Sequence, residues 1–122
     1  MVAGLARALA VTGHAAAVRG DPDPRPRPEL LRAAKWRAAR HGLEADLVDV
    51  LGGRARPAAE LVEAFLAEVR PALEEAGDLE EVTGLARATL AGGNGAARQR
   101  EAFRRNGRLE DVVDLVVEAT AR

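Results

Sequence analysis

The sequence contains no cysteine, no serine and no tyrosine, and aromatic residues make up 2% of its 122 positions. Without cysteine there can be no disulfide, no thiolate metal ligand and no cysteine nucleophile. Without serine, and with no base suitably spaced from any threonine, no machinery for nucleophilic catalysis is evident. A composition free of cysteine is typical of cytoplasmic proteins, and we expect that location.

A strong charge of one sign is also missing, because 18 Lys and Arg residues oppose 19 Asp and Glu residues, for a net charge of -1. Such a balance creates no overall field that favours nucleic acid or an anionic membrane. Long apolar runs are absent too, since Arg7 and His14 interrupt the apolar opening segment 1–18. We predict that this segment is a packed helix, and we expect neither nucleic acid nor a membrane as a partner.

What is present is a large share of Leu, Val and Ala within the 48% of residues that are hydrophobic. These side chains suit helices that approach each other closely. We predict a mainly α fold, an irregular assembly of about five to six helices with a short β-hairpin near 43–56. A single domain is expected over 1–122, with an N-terminal helix at 1–20, a proline-rich connector at 21–28 and a helical region at 29–122.

Capping and turn residues set the predicted boundaries inside that helical region. Alternation of apolar and acidic residues over 43–49, followed by Gly52-Gly53, predicts the hairpin. Asp78 and Glu81 have capping-box spacing, and Asn94 is placed to cap the next helix. Helices are accordingly predicted at 29–41, from Pro57 to near Gly77, from 79 to about 92, at 95–105 and from 109 onward.

One segment carries a family resemblance. Leu30 to Leu43, with the sequence LLRAAKWRAARHGL, resembles the basic-Trp-Arg-Ala-Ala-Arg-x-Gly-Leu signature of the glutamate-cysteine ligase type 2, or carboxylate-amine ligase, family. The stretches 57–61, 69–74 and 95–115 are similar to later parts of the same family, in the same order. Ala34 departs from the pattern, because many members carry asparagine at that place.

The resemblance implies the C-terminal part of a glutamine-synthetase-like ligase fold. In that family ATP phosphorylates a glutamate-like carboxylate, and an amine then attacks the acyl phosphate. ATP and magnesium are therefore implied as cofactors of the complete enzyme, with the magnesium carboxylates on a sheet formed by the N-terminal two thirds of the protein. That sheet is missing from this sequence, so for this chain alone we expect no catalytic residue, no bound cofactor and no activity.

The candidate phosphate ligands lie on the predicted helix 29–41. Arg37 and Arg40 are three residues apart and so share a helical face. Two guanidinium groups can hold the oxygens of a phosphoryl group and neutralise its charge, and we predict this pair as a phosphate site. The alternative is a solvated face in which both arginines pair with Glu44 or Asp46.

Two neighbours complete the candidate set. Lys35 is a further cation beside the pair, although it lies five residues before Arg40 and does not share its face. Trp36 presents an aromatic surface on which adenine can stack, although packing between helices is the favoured interpretation for it. His14 and His41 have no partners at metal-binding spacing, so no metal site is predicted.

A second basic cluster runs from Arg98 to Arg108. The cluster is a candidate contact for nucleic acid or for the acidic surface of a partner, but no aromatic platform or zinc ligand accompanies the arginines. The favoured interpretation is a solvated helix that faces the acidic stretch 74–81.

The sequence therefore predicts the C-terminal segment of an ATP-dependent carboxylate-amine ligase that is catalytically incomplete alone. Its expected partner is a missing N-terminal catalytic domain or a separate catalytic chain, and homodimerisation stays open. The alternative functions are a non-catalytic helical interaction module and a subunit of a split ligase.

Overall fold

The computed structural model describes residues 2–22 and 25–121, so Asp23 and Pro24 of the predicted connector lie outside the described residues. Within the described ranges the chain forms six α-helices and one antiparallel β-hairpin, which confirms the mainly α prediction. The elements are α1 (Val2–Arg19), α2 (Pro28–His41), a 3₁₀ turn (Gly42–Glu44), β1 (Asp46–Asp49), β2 (Arg54–Pro57), α3 (Ala58–Ala76), α4 (Leu79–Gly92), α5 (Gly95–Asn106) and α6 (Leu109–Thr120).

The core lies where α1 and α4 pack on the central helix α3. Leu66, Val69 and Leu73 of α3 recur at intervals of three and four, so they share one face of that helix. Val69 and Leu73 are 0% exposed. The neighbouring helices supply small or branched residues to the same cluster, namely Ala8 from α1 and Val82 and Ala86 from α4.

A glycine allows α1 to pass close to α4. A Cβ atom placed on Gly4 would lie 2.9 Å from Cγ2 of Val82 and 3.4 Å from a carboxylate oxygen of Asp78. The first distance is shorter than a carbon–carbon contact allows. The lack of a side chain at Gly4 therefore allows α1 to pack closely against α4.

Strand β1 of the hairpin packs against α2 and also contacts α3. Its register pairs Asp46 with Pro57 and Asp49 with Arg54. The predicted strand start at residue 43 was wrong, because residues 42–44 form a 3₁₀ turn and β1 begins at Asp46. The cause is the end of α2, where Gly42 has φ 64° and its N–H still donates to the carbonyl of Ala38, so the chain leaves the helix through a further tight turn.

Asp49 closes the hairpin turn. Its Oδ1 accepts from the backbone N–H groups of Leu51 at 3.2 Å and Gly52 at 2.9 Å, and its Oδ2 lies 3.6 Å from the guanidinium of Arg56. The hydrogen bond from Gly52 lowers the pKa of Asp49, and the bond from Leu51 and the charge of Arg56 act in the same direction against the cost of desolvation. This carboxylate therefore serves the turn.

The two predicted helix caps had different outcomes. Asn94 does cap α5, because its side chain accepts from the N–H of Ala97 at 2.9 Å. Asp78 does not cap α4 with its side chain, and the capping-box prediction was wrong. Its carboxylate instead accepts from the guanidinium of Arg7 on α1, and its backbone has ψ -2° rather than the extended geometry of a capping residue.

Helices α5 and α6 pack on each other, and neither contributes a buried residue. The basic cluster was predicted to face the acidic stretch 74–81, but the two form no ion pair with each other among residues 2–22 and 25–121. Arg104 and Arg105 pair with Glu101 of their own helix, and Arg108 pairs with Glu110 and Asp111 at the start of α6. Each of these partners lies two to four residues from its arginine along the chain. The arginines therefore pair with nearby carboxylates and not with the distant acidic stretch.

Candidate functional site

One side of α2 packs against the hairpin, and this divides the four candidate residues on the helix into an inner and an outer group. Arg37 belongs to the inner side, where it is half-buried and its Nε donates to the backbone carbonyl of Asp46 at 3.1 Å. This bond ties the middle of α2 to the first residue of β1. Arg37 therefore has a structural contact of its own, distinct from the surroundings of Arg40.

Arg40 lies on the outer side and packs against Trp36. The carbon at the centre of its guanidinium group is 5.6 Å from the centroid of the indole ring, which is cation–π geometry. His41 meets the same indole edge-on, with ring centroids 6.0 Å apart and planes at 79°. Trp36 is nevertheless 61% exposed, so in this chain it does not pack between helices.

Lys35 and Arg32 extend this exposed surface. Residues 32, 36 and 40 are spaced by four, so they form one row along the helix, and residue 35 lies at the edge of that row. We call Arg32, Lys35, Trp36 and Arg40 the basic–aromatic face. None of its three cations makes an ion pair with any residue in 2–22 or 25–121.

Sequence reasoning missed Arg32 as a member of this face. The signal was available, since the four-residue spacing from Arg32 to Trp36 and on to Arg40 marks neighbours on a helix. The predicted pairing of Arg37 with Arg40 rested on a three-residue spacing, which is equally compatible with a helix. The position of the hairpin decides which set of residues, Arg32 with Trp36 and Arg40 or Arg37 with Arg40, shares the outer side of α2.

The basic–aromatic face is the outer side of a single helix. A groove of about 480 Å³ lies elsewhere, between the end of α4 and the helices α5 and α6. Arg98, Arg105 and Glu101 are among its lining residues. An aromatic ring with unpaired cations can hold an anion on such a convex surface, but a second surface is needed to exclude water from it.

The residues present do not fit a magnesium site. In the described ranges no group of three or more His, Asp or Glu side chains converges in a way that would hold a metal ion. Asp46 and Asp49, the pair nearest to α2, are three residues apart on a strand and so point to opposite faces. Asp49 is also committed to the hairpin turn. No helix in the described ranges has the length and apolar character needed to cross a membrane.

Comparison with known proteins gives relatives over nearly the whole chain. A Frankia alni protein named as a candidate glutamate–cysteine ligase 2-2 is 48% identical over 120 residues, which is 98% of this chain and 31% of the relative. A Frankia casuarinae protein of the same name is 49% identical over 98% of this chain and 14% of its own length. A Rhodococcus jostii protein named as a candidate glutamate–cysteine ligase 2-3 is 56% identical over 77% of this chain and 12% of its own length.

This chain thus spans less than a third of the length of these curated relatives. No solved structure matches it significantly. The profile described as Glutamate-cysteine ligase family 2 (GCS2) matches residues 1–118, a range that contains α1, the hairpin and nearly all of α6. The chain therefore belongs to glutamate-cysteine ligase family 2.

Proposed function

We propose that this chain is the C-terminal segment of an ATP-dependent carboxylate–amine ligase of the glutamate–cysteine type, and that it is catalytically incomplete alone. The proposal rests on the family profile, which matches residues 1–118, and on the fact that the chain covers only 31% of the Frankia alni relative. Its contribution to the site is the basic–aromatic face of α2. We also place the protein in the cytoplasm, the location expected of a chain without cysteine.

The chemistry of that face suits a nucleotide. Lys35 and Arg40 carry positive charge without a carboxylate partner in the described ranges, so they can pair with phosphate oxygens. Trp36 has one ring surface engaged by Arg40, and its 61% exposure leaves indole surface on which adenine can stack. Arg37 would then act as a positioning residue, because its bond to Asp46 fixes how α2 lies on the hairpin.

The magnesium ligands must come from elsewhere. This chain's described residues offer no convergent carboxylates, so the proposal assigns metal binding to the part of the ligase that the chain does not include. That part is either an N-terminal catalytic domain of the same polypeptide or a separate catalytic chain. When bound, the metal would neutralise phosphate charge, and the residues of α2 would hold the nucleotide from the other side.

The test is a hybrid ligase in which this chain replaces the matching 31% of the Frankia alni relative. We expect release of ADP that depends on glutamate and an amine acceptor in the hybrid, and none from this chain alone. Arg40→Ala in the hybrid should lower kcat/KM at least about tenfold, corresponding to loss of a charge-assisted bond to phosphate. Arg98→Ala is the matched control, because Arg98 is exposed and forms no ion pair with the described residues, and it should change the rate less than about twofold.

Two results would refute the proposal. Activity of this chain alone would show that it is not incomplete. A folded hybrid without ADP release would favour the alternative of a non-catalytic helical interaction module. Activity obtained only when this chain is supplied separately to the remaining part of the relative would favour the split-ligase form of the same function.

A further inference from the structure

The apolar side of α6 is wider than its partner helix can cover. Val112 and Leu115 are half-buried in the α5–α6 contact, whereas Leu109, Val113, Val116 and Val117 are exposed. These four residues follow the spacing of one helical face, and we call them the outer α6 face. Val113 and Val117 are 59% and 58% exposed.

Helix α6 cannot simply roll this face onto α5. Asn106 at the end of α5 donates from its Nδ2 to Oδ2 of Asp111 at 2.7 Å, and Arg108 lies between Glu110 and Asp111 at 3.5 and 4.0 Å. These contacts fix the turn between the helices, and Asp111 and Glu118 of α6 line one groove with Arg105 of α5. The valines of the outer α6 face consequently point away from the rest of the described chain.

Phe103 of α5, at 43% exposure, adds an aromatic side chain to the apolar surface of this helix pair. Exposed apolar residues that are scattered singly need no explanation, but a contiguous helical stripe is typical of a contact surface. The family profile reaches residue 118, so the outer α6 face lies inside the part of the chain that family members share.

We propose that the outer α6 face is the docking surface for the part of the ligase that lies outside this sequence. The matching surface of that part is an apolar helix or sheet face. This inference rests on the proposed function. The Frankia alni relative has 69% of its polypeptide outside the matched region (100% less 31%), and that portion is available to cover α6. The inference adds to the proposed function the surface through which the two parts meet.

A second copy of this chain is the competing occupant, and charge disfavours it. Glu110 and Asp114 flank the outer α6 face on the side of Val117. Antiparallel two-fold pairing of two α6 helices would set this acidic edge beside the same edge of the other copy. Like charges at that separation repel, whereas a different partner can place basic or neutral groups there.

Thiol labelling tests the proposal, because the chain has no cysteine of its own. Val113→Cys in this chain should react with a water-soluble maleimide as fast as Glu118→Cys, which is the matched control on the acidic side of the same helix. The same two substitutions are made at the aligned positions of the full-length Frankia alni relative, with peptides identified by mass spectrometry. There the thiol at the position of Val113 should react at least about tenfold more slowly than in the isolated chain, because a covered thiol reacts only through local opening.

Equal labelling of both positions in the full-length relative would overturn the proposal. So would protection of Val113→Cys in the isolated chain that disappears on dilution, since the occupant would then be a second copy. If the substituted relative fails to fold, hydrogen exchange of the unsubstituted relative replaces the labelling, and the expected result is slower exchange in its helix aligned with α6 than in α6 of this isolated chain. Labelling needs no ATP, so protection at this face with an inactive hybrid would refute the proposed function and leave the docking surface standing.

Discussion

The division between a small packed core and a peripheral helix pair can be tested with one substitution made at two places. Leu73 in α3 is 0% exposed, and Leu109 at the start of α6 is 70% exposed. Changing either residue to alanine removes three carbons and alters helix propensity little. At about 0.8 kcal/mol for each buried carbon, Leu73→Ala loses about 2.4 kcal/mol of burial before any cavity forms. The cavity raises the expected loss in unfolding free energy to about 3–5 kcal/mol.

Leu109→Ala should change the unfolding free energy of the isolated chain by no more than about 0.5 kcal/mol, because its side chain is mostly in water already. Urea unfolding followed by far-ultraviolet circular dichroism measures both variants. Equal losses would refute the assignment of the core to α1, α3 and α4. The measurement is repeated at a second protein concentration. If self-association of the chain covers Leu109, the apparent unfolding free energy will depend on that concentration. If Leu73→Ala does not fold, Val69→Ala removes two buried carbons from the same core and should cost about 1.6 kcal/mol before the cavity cost.

Three further predictions concern local contacts. Asn94→Ala should destabilise the chain by about 1 kcal/mol in urea unfolding, since the N–H of Ala97 loses its acceptor, and an unchanged midpoint would contradict the cap. Gly52→Ala should lower thermal stability, because its Cβ would lie 2.6 Å from Oδ2 of Asp49; an unaltered melting temperature would mean that the turn relaxes freely. The hydrogen bond from Arg87 lowers the pKa of Glu63, so the stabilisation that this pair gives should be present above the ordinary pKa of glutamate and be lost as the pH falls through the lowered value. In Arg87→Ala, carboxyl NMR should show the Glu63 pKa rising toward 4.5, and an unmoved pKa would rule out the pair.

Much of the fold follows from local sequence. Pro28 at the first turn of α2, Gly42 after its last residue and Asn94 before α5 set helix ends where a single residue has the required geometry. Those boundaries were confirmed. Asp78 shows the limit of this reasoning, because its spacing to Glu81 fits a capping box but a guanidinium on α1 takes its carboxylate. A contact between residues 71 positions apart is outside the reach of any local pattern.

The candidate site shows the same limit at the scale of a helix face. The sequence correctly indicated a helix bearing Lys35, Trp36, Arg37 and Arg40, but helical spacing gives only relative directions around the axis. The hairpin that packs against α2 decides the absolute direction, turning Arg37 inward and leaving Arg40 on the outer side. Whether either residue contacts phosphate stays a prediction.

Trp36 gives a direct way to test the incompleteness of the chain, because it is the only tryptophan and there is no tyrosine. In the isolated chain we expect its fluorescence to stay unchanged as MgATP is added up to about 1 mM, where binding would supply about 4 kcal/mol. The reason is that a convex helix face neither excludes water nor provides magnesium ligands, so each phosphate contact competes with solvent. Free tryptophan in the same titration corrects for absorption by the nucleotide. Saturable quenching that Arg40→Ala abolishes and Arg98→Ala retains would show that α2 holds the nucleotide unaided, and the remaining part of the ligase would then not be needed for nucleotide binding.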